Sequence, residues 1–245
     1  MARVYAGTSG WAYTSWKPAF YPPKLASTKF LEFYGTRLNA VEVNYSFRRL
    51  VGRSVYEKWV AGTPAEFKFA IKAHQRITHI KRLRDLDDIL PAFLTSITPL
   101  HEAGRLGPVL FQLPPNMKKD VDLLVDFLSH LPRTLQAAIE FRHESWLADD
   151  VYEVLRKFNT AICTAESEKL SVPHVATASF CYYRFRRPDY TPKERAELAN
   201  KVLERTAEGR DVFAFFKHEE TPDGALFAEE LLKATSLKES KVSTA

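Results

Sequence analysis

The sequence predicts an α/β protein, a single (β/α)8 TIM-like barrel in which eight parallel strands are surrounded by outer helices. Eight short runs of β-branched and aromatic residues are bounded by turn residues, which is typical of buried strands. The stretches between them repeat apolar residues at helical spacing. Eight units in 245 residues give about 31 residues per strand and helix, and such barrels typically have about 250 in total. We therefore predict one barrel domain over residues 1–234, followed by a disordered polar tail over residues 235–245.

The predicted strands are short and leave room for a helix after each one. In chain order they are Val4–Gly7, Ala40–Val43, Phe67–Ile71, Val109–Gln112, Ala137–Glu140, Thr160–Thr164, Phe180–Phe185 and Asp211–Phe216. Two of the intervening helices are especially clear. Over 120–131, apolar residues recur at i, i+3, i+4 and i+7. Over 192–206, Pro192 suits a first helical turn ahead of an apolar stripe.

A doubly wound open sheet is the competing fold of similar length. That fold favours a Gly-x-Gly-x-x-Gly turn after its first strand, where a dinucleotide binds. The turn here reads Gly7-Thr8-Ser9-Gly10-Trp11 and does not match this pattern. The barrel is therefore the favoured fold, and no nucleotide cofactor is indicated.

The composition is that of an ordinary globular protein, with 45% apolar and 27% charged residues and a net charge of +5. No apolar run approaches the ~18–20 residues of a membrane-spanning helix, so no membrane association is predicted. The first residues, Met1–Gly7, resemble a strand and lack the apolar stretch of a signal peptide. Two cysteines, Cys163 and Cys181, are too few for a disulfide framework, which favours a reducing, cytoplasmic location.

Polar side chains stand at the ends of six predicted strands, at positions whose parity points into the barrel. Successive strand residues face opposite sides of a sheet, so Lys72 shares the inward face with Ala70 while Phe69 faces the helices. The same alternation selects Glu42, Asn44, Gln112, Glu140, Arg142, Glu166 and Arg184. In barrels, the C-terminal strand ends line the active site. A polar pocket that mixes carboxylates with fixed cations is therefore predicted there.

In this pocket we predict that Glu140 and Glu42 transfer protons, because charge networks shift pKa values as an acid/base catalyst requires. We expect Lys72, Arg142 and Arg184 to hold an anionic substrate and to offset developing charge. A structural ion network that only closes the barrel is the alternative for the same residues. The aromatic residues beyond the strand ends either stack on a ligand or fill the core between loops: Trp11, Trp16, Tyr45 and Trp146.

Metal catalysis and nucleophilic catalysis have weaker support. No His-x-Glu-x-His or Cys-x-x-Cys spacing occurs, and cations among the carboxylates repel a metal ion, so neither metal nor cofactor is predicted. Cys163 and Cys181 fall at helix-facing parity, which indicates buried small hydrophobic residues and not nucleophiles. Ser9 follows the first strand without a nucleophile-elbow pattern.

Positive charge is concentrated in one stretch. Residues 48–87 contain ten Lys/Arg and four Asp/Glu, a net charge of +6. The densest part, Lys72–Arg84, contains five basic residues, two histidines and no acidic residue. This segment is either a solvated helix face or a surface that attracts phosphates.

Five sequence blocks resemble the YecE-like family, also called domain of unknown function 72. They are GTSGWAYTSWKPAFYP (Gly7–Pro22), VEVNYSF (Val41–Phe47), FKFAIKAHQRITH (Phe67–His79), LGPVLFQLPP (Leu106–Pro115) and IEFRHESW (Ile139–Trp146). The resemblance implies a single TIM-barrel-like domain, in agreement with the strand count, and no established reaction. It implies functional roles for Thr8, Trp11, Trp16, Glu42, Asn44, Lys72, His79, Gln112, Glu140, Arg142, His143 and Trp146.

The seventh strand departs from the pattern of that family. The family strand leads into Arg-x-His-Gly, whereas this chain reads Arg184-Phe185-Arg186-Arg187, so this side of the pocket carries more positive charge. An activity carried over through this half of the pocket is therefore in doubt. From parity and resemblance together, the predicted substrate-binding residues are Lys72, Arg142, Arg184, Asn44, Gln112, His143, Trp11 and Trp146.

Three functions remain open. The favoured one is a metal-independent hydrolase or lyase acting on an anionic, phosphate-bearing small molecule at the C-terminal mouth. The alternative is a non-catalytic nucleic-acid-binding module that uses the basic 72–84 segment. Glycoside cleavage has two carboxylates and nearby aromatic residues in its favour, but the second and fifth strands are well separated around a barrel and the cations stay unexplained. The sequence leaves the oligomeric state open.

Overall fold

All eight predicted strands are present, and they form one parallel sheet that curls into a barrel. The computed structural model describes residues 2–167, 169–217 and 220–242, with backbone alone over 237–242. The strand order is β1-β8-β7-β6-β5-β4-β3-β2. The strands are β1 (Val4–Thr8), β2 (Ala40–Val43), β3 (Lys68–Lys72), β4 (Leu106–Gln112), β5 (Ala137–Glu140), β6 (Ala161–Ala165), β7 (Phe180–Phe185) and β8 (Asp211–Phe216). The predicted bounds are confirmed for β2, β5, β7 and β8, and the other strands differ by a few residues at their ends.

Helices follow seven of the eight strands in the described part of the chain. They are α1 (Phe30–Arg37), α2 (Arg53–Ala61), α3 (Ile89–Glu102), α4 (Val121–Ser129), α5 (Asp149–Lys157), α6 (Pro192–Ala207) and α7 (Asp223–Val242). The connection from β6 to β7 contains no α-helix among its described residues, so one predicted outer helix is missing. Pro173 lies in this connection between Val172 and Val175, and proline and β-branched residues disfavour a helix.

Two helices begin at residues that cap them. Thr191 accepts a hydrogen bond from the Glu194 N–H, and the Glu194 carboxylate accepts one from the Thr191 N–H, which forms a capping box before α6. Asp120 accepts from the Leu123 N–H before α4. These local signals explain why both helices begin where the apolar spacing predicts them.

The barrel closes between β1 and β2 through side chains. One backbone bridge pairs Ser9 with Glu42. The Tyr34 hydroxyl accepts from the Thr8 N–H at 2.8 Å and donates to the Ala40 carbonyl at 3.0 Å. Gly7 permits this close approach, because a Cβ there would lie 1.8 Å from the Ala40 oxygen.

A second side chain completes the same closure. The Asn39 amide oxygen accepts from the Ala6 N–H at 2.8 Å, and its amide nitrogen donates to the Val4 carbonyl at 2.8 Å. This amide therefore occupies the place of a strand partner beside β1. We call the contacts of Ser9, Tyr34 and Asn39 between β1 and β2 the closing seam.

The barrel interior is filled with small and aromatic side chains. Ala70 and Ala138 leave space between the strands, and the Tyr5 and Phe213 rings stack inside with centroids 4.7 Å apart. A larger apolar core lies between strands and helices, where Trp16 is fully buried. The packed interior therefore forms a floor beneath the charged residues at the C-terminal strand ends.

The predicted alternation is confirmed for β3, β5 and β7 and is wrong for β6. Ala70, Ala138 and Tyr182 belong to the interior cluster, as parity predicts. Cys163 also belongs to that cluster, whereas the sequence prediction placed it against the helices. Ile162 packs in the outer core instead. Every residue of β6 is small or apolar apart from one threonine, so polarity could not identify its inward face.

The C-terminal helix extends beyond the predicted domain boundary at residue 234. α7 continues to Val242, and the Thr235 side chain is buried and donates to the Leu231 carbonyl at 3.0 Å. The apolar face of α7 packs on the barrel, and the helix continues into the segment that was predicted to be a disordered tail. The predicted disorder of residues 243–245 lies outside the described residues.

Across residues 2–167, 169–217 and 220–242, no helix has both the length and the apolar character needed to cross a bilayer.

Candidate active site at the C-terminal mouth of the barrel

Glu42, at the end of β2, is fully buried and bonded through both oxygens. Oε1 accepts from Ser9 Oγ at 2.7 Å and from Arg184 Nη2 at 2.7 Å, and Oε2 accepts from the Tyr182 hydroxyl at 2.8 Å. Burial opposes ionisation of Glu42, but Arg184 and these hydrogen bonds outweigh it and lower its pKa. The carboxylate is therefore ionised at neutral pH.

Glu140, at the end of β5, receives more cations than Glu42 does. Its Oε2 accepts from Arg184 Nη1 at 2.6 Å and from Gln112 Nε2 at 2.9 Å. Its Oε1 accepts from Arg186 Nη2 at 3.0 Å and from Arg142 Nε at 3.1 Å. Burial raises the pKa of Glu140, but Arg184, Arg186 and Arg142 together lower it to about 2.

Lys72, at the end of β3, stands apart from these ion pairs. Its Nζ donates to Gln112 Oε1 at 2.9 Å and lies 4.2 Å from the centre of the Phe47 ring. No ion pair within the described chain includes Lys72. Burial and then Arg184 lower its pKa to about 8, against the opposing effect of Glu42 and Glu140. Lys72 therefore changes charge near neutral pH.

Five of the six charged residues predicted for the pocket, all except Glu166, thus form one group with Arg186 at one end of the barrel. We call this group the mouth cluster: Glu42, Glu140, Lys72, Arg142, Arg184 and Arg186. It contains four cationic side chains and two carboxylates, so its own charges do not balance. Arg184 is the most buried of the four cations, with its side chain 4% exposed, whereas that of Arg142 is 36% exposed. An incoming anion therefore meets Arg142 before Arg184.

A cavity of about 290 Å³ opens beside Glu140. Its lining includes Arg142, Arg186 and Lys169, together with the apolar side chains of Leu170 and Val172. This volume is at the lower limit of typical small-molecule sites. The cavity is therefore suited to a compact anionic group.

Glu166 also lines this cavity but does not bond to Arg184 as the other two carboxylates do. Its Oε2 accepts from the Arg186 N–H at 2.7 Å and hydrogen bonds to the Tyr190 hydroxyl. The sequence prediction grouped Glu166 with the inward face of β6. The structure places it beyond the strand, where it orders the backbone of Arg186 and Arg187.

Two polar residues predicted to bind a ligand, Asn44 and His143, follow the strands that end at the mouth. Asn44 follows β2, and its Oδ1 is buried without a hydrogen-bond partner among the described residues. His143 follows Arg142, and its Nδ1 accepts from the Ser145 N–H at 3.2 Å, which caps the turn Glu144–Trp146. The roles of Asn44 and His143 in binding a ligand therefore stay predictions.

The two predicted aromatic contacts differ from each other. Trp146 is fully buried, stacks on Phe141 with centroids 4.8 Å apart, and donates to the Met117 carbonyl at 2.7 Å. Its ring has no free face for a ligand, so the prediction for Trp146 needs correction. Trp11 packs edge-to-face on Trp59 at 5.0 Å and stays partly exposed, and its contact with a ligand stays a prediction.

The basic segment 72–84 is partly neutralised by acidic residues from outside it. Arg76 and Lys81 pair with Asp88 at 2.7 and 3.1 Å. Arg84 pairs with Asp120 at 2.8 Å. The field that this segment presents to a polyanion is therefore weaker than its sequence indicates.

Sequence reasoning missed one contributor to the mouth and left two others, which it had placed on the face of Arg184, out of the predicted site residues. Ser9 was interpreted as an ordinary loop residue, yet its hydroxyl donates to Glu42. Tyr182 and Arg186 share the parity of Arg184, and both bond to the buried carboxylates. Alternation along β1 and β7 is a signal that selects all three, because side chains two residues apart face the same side. No three His, Cys, Asp or Glu side chains of the described chain are grouped to hold a metal ion.

Fold and site together define a class: a parallel TIM-type barrel whose C-terminal mouth contains two buried carboxylates among four cations. The family described as protein of unknown function DUF72 matches residues 5–245. The chain belongs to this family, which confirms the YecE-like resemblance of the five sequence blocks.

Two curated relatives and one solved structure show the extent of the similarity. The UPF0759 protein YunF of Bacillus subtilis is 34% identical over 164 residues, 64% of this chain and 57% of the relative. The UPF0759 protein YecE of Escherichia coli is 32% identical over 146 residues, 59% of this chain and 50% of the relative. The chain thus spans about half the length of the curated relatives it matches. A DUF72 family protein of Thermotoga maritima superposes with a TM-score of 0.85 at 26% identity, covering 96% of this chain and 99% of that one.

Proposed function

We propose that the protein is a hydrolase or lyase that binds a phosphate-bearing small molecule at the barrel mouth without a metal ion. The carrying observation is the excess of cations in the mouth cluster, where two carboxylates face four cationic side chains. Arg142 and Arg186 are the less buried arginines and form the anion site beside the cavity. The fixed positive charges of Arg142 and Arg186 attract the phosphate group, as a divalent metal ion does in metal-dependent enzymes. The same charges repel a divalent ion.

Lys72 is the group that exchanges protons in this proposal, in place of Glu140 and Glu42. The pKa of Glu140 is about 2 and that of Glu42 is lowered, so neither holds a proton to donate at neutral pH. Lys72 has a pKa of about 8 and changes protonation within the working range of most enzymes. In hydrolysis, the oxygen of water bonds to phosphorus while the ester P–O bond breaks. The neutral Lys72 amine accepts the proton that the water molecule loses, and the resulting ammonium then gives a proton to the leaving oxygen.

The nucleic-acid-binding alternative has less support from the contacts. In the basic segment, Arg76 and Lys81 form salt bridges with Asp88, and Arg84 forms one with Asp120. Fewer unpaired positive charges are therefore left to bind a phosphate backbone. The small cavity beside Glu140 is suited to a compact anion and not to a strand.

Calorimetric titration with inorganic phosphate tests the proposal. Arg142→Gln and Lys72→Met should each weaken phosphate binding about tenfold or more, because a charge-assisted hydrogen bond contributes about 1.5–3 kcal/mol. Arg84→Gln is the matched control, since Arg84 also pairs with a carboxylate, Asp120, but lies outside the mouth cluster. Absence of phosphate binding to the unaltered protein contradicts the proposal. A larger loss for Arg84→Gln than for Arg142→Gln supports the nucleic-acid alternative instead.

A further inference from the structure

The surroundings of Lys72 suit a nucleophilic amine. Two arginines of the mouth cluster, Arg184 and Arg142, carry the positive charge near Lys72, and the hydrogen bond from Nζ goes to the neutral Gln112 amide. A carboxylate partner would hold the proton on the amine, whereas an amide oxygen accepts from the neutral amine as well. Neighbouring cations and burial favour the neutral form of a lysine, which is the form that attacks carbonyl carbon.

The orientation of Gln112 is set by a second contact. Its Nε2 donates to Glu140 Oε2 at 2.9 Å, which directs its Oε1 toward Lys72. Glu140 is held in turn by Arg184. The chain from Arg184 through Glu140 to Gln112 therefore positions the amine without neutralising the charge around it.

The base of the Lys72 side chain is also fixed. The Ser46 hydroxyl donates to the Lys72 carbonyl at 2.7 Å, and the Phe47 ring lies beside Nζ. Lys72 keeps part of its surface exposed at the mouth. The side chain is thus ordered and partly desolvated, and part of it is exposed to solvent.

Lys68 shows that these features are specific to one end of β3. It lies on the same strand and the same face, four residues earlier, and burial lowers its pKa as well. Its Nζ donates to the Gly104 carbonyl at 2.6 Å, at the opposite end of the barrel. Lys68 therefore provides a matched lysine without an arginine anion site.

We propose that the Lys72 amine forms an imine with the carbonyl group of a phosphate-bearing aldehyde or ketone whose phosphate is held by Arg142 and Arg186. This inference rests on the proposed function and narrows it to a lyase. The amine nitrogen bonds to the carbonyl carbon, the carbonyl oxygen leaves as water with two protons, and a carbon–nitrogen double bond remains. The protonated imine attracts the electron pair of an adjacent bond, which is the electron sink that carbon–carbon or carbon–hydrogen cleavage requires.

Reductive trapping tests the inference on the full chain. Glycolaldehyde phosphate is the probe, glycolaldehyde is its unphosphorylated match, and cyanoborohydride reduces any imine to a stable amine. Peptide mass spectrometry then gives the labelling rate of each lysine. With glycolaldehyde phosphate, Lys72 should react about tenfold faster than Lys68, and glycolaldehyde should label Lys72 about tenfold more slowly than its phosphate does, a difference of about 1.4 kcal/mol.

Variants separate this inference from the proposed function. Arg142→Gln should slow the labelling of Lys72 by the phosphate probe and leave the labelling of Lys68 unchanged. Lys72→Arg should remove the fast reaction, while Lys68→Arg should keep it. If Lys72 reacts no faster than Lys68, or reacts equally with both aldehydes, the inference is wrong. Phosphate binding measured by calorimetry then decides separately whether the proposed anion site stands.

Discussion

Arg184 Nη2 donates to Glu42 Oε1 at 2.7 Å and joins β7 to β2, two strands that are not neighbours in the barrel. Both side chains are almost fully buried. A buried pair of this kind depends on further hydrogen bonds to offset the cost of burying its charges. Ser9 and Tyr182 donate to Glu42, and Glu140 accepts from the other terminal nitrogen of Arg184, whereas Arg184 Nε is buried without a hydrogen-bond partner among the described residues. The pair therefore acts as a cross-brace at the mouth.

Replacing Arg184 with methionine should destabilise the fold strongly. The change leaves two buried carboxylates without their shared cation, which typically costs about 3–5 kcal/mol of unfolding free energy. Urea unfolding measures the loss. Arg142→Met is the control, because its side chain is partly exposed and its loss should cost about 1 kcal/mol or less. Similar losses for the two variants would contradict the bracing role of Arg184.

Acid should destabilise the protein through Glu140. Its pKa is about 2 in the folded state, below the ordinary 4.5, so its stabilising effect is complete above about pH 4.5 and is lost as pH falls toward 2. The unfolding free energy should decrease by about 3 kcal/mol over this range on account of Glu140. Glu140→Gln should be less stable at pH 7 and should lose less on acidification. Equal acid sensitivity in both proteins would assign the effect to other groups.

Sulfate binding should weaken as pH rises through about 8. Lys72 has a pKa of about 8, so below that pH its ammonium group attracts the anion. Above that pH the amine is neutral and the attraction is lost. Glu42, Glu140 and Arg184 keep their charges over this range, and the pKa of His79, which also faces Lys72, is lowered by burial and then by Lys72. Calorimetry between pH 6.5 and 9.5 should show about a tenfold loss.

The sulfate prediction has its own control. Lys72→Met should bind sulfate weakly at every pH and show no step near pH 8. A step of unchanged size in that variant would mean that another group titrates.

Tyr34→Phe should weaken the closing seam. The tyrosine hydroxyl satisfies the Thr8 N–H and the Ala40 carbonyl, both of which stay buried without it. A buried unsatisfied backbone group costs about 1–3 kcal/mol, so we expect a loss of this size in urea unfolding, with faster amide exchange at Thr8. Tyr45→Phe, at a side chain 48% exposed, should change neither quantity. Unchanged stability in Tyr34→Phe would contradict a stabilising role for this hydroxyl at the closing seam.

Much of the barrel could be predicted because its strands alternate polarity in a regular way. Lys72 and Glu140 each share an inward face with an alanine, and their burial follows from that parity. The convergence of Glu42 and Glu140 on one arginine could not be predicted, because it depends on the width of the closed ring. The sequence argument that these strands are well separated omitted the length of the Arg184 side chain, which spans the gap.

Other features depend on contacts that leave no periodic signal. Asn39 and Tyr34 replace backbone pairing at the closing seam, and nothing in their local sequence indicates which strand they contact. β6 has no polar residue at its inward positions, so its inward face was inferred from the parity of Glu166. Glu166 lies beyond the strand, and the inference therefore placed Cys163 against the helices, although Cys163 faces the interior. Trp146 was open to either interpretation, and packing against Phe141 places it in the core.

The closing seam also bears on the order in which the chain folds. β1 pairs with β8 along its whole length, from Val4 opposite Val212 to Thr8 opposite Phe216, but meets β2 at one backbone bridge. Until β8 is available, β1 has no full partner, so we expect a partly folded sheet of β2 to β7 to have two open edges. Pairing between the two ends of a chain carries a large loop-closure entropy, and we expect ring closure to be the slow, late step. The open edges of that intermediate are where aggregation would compete with folding.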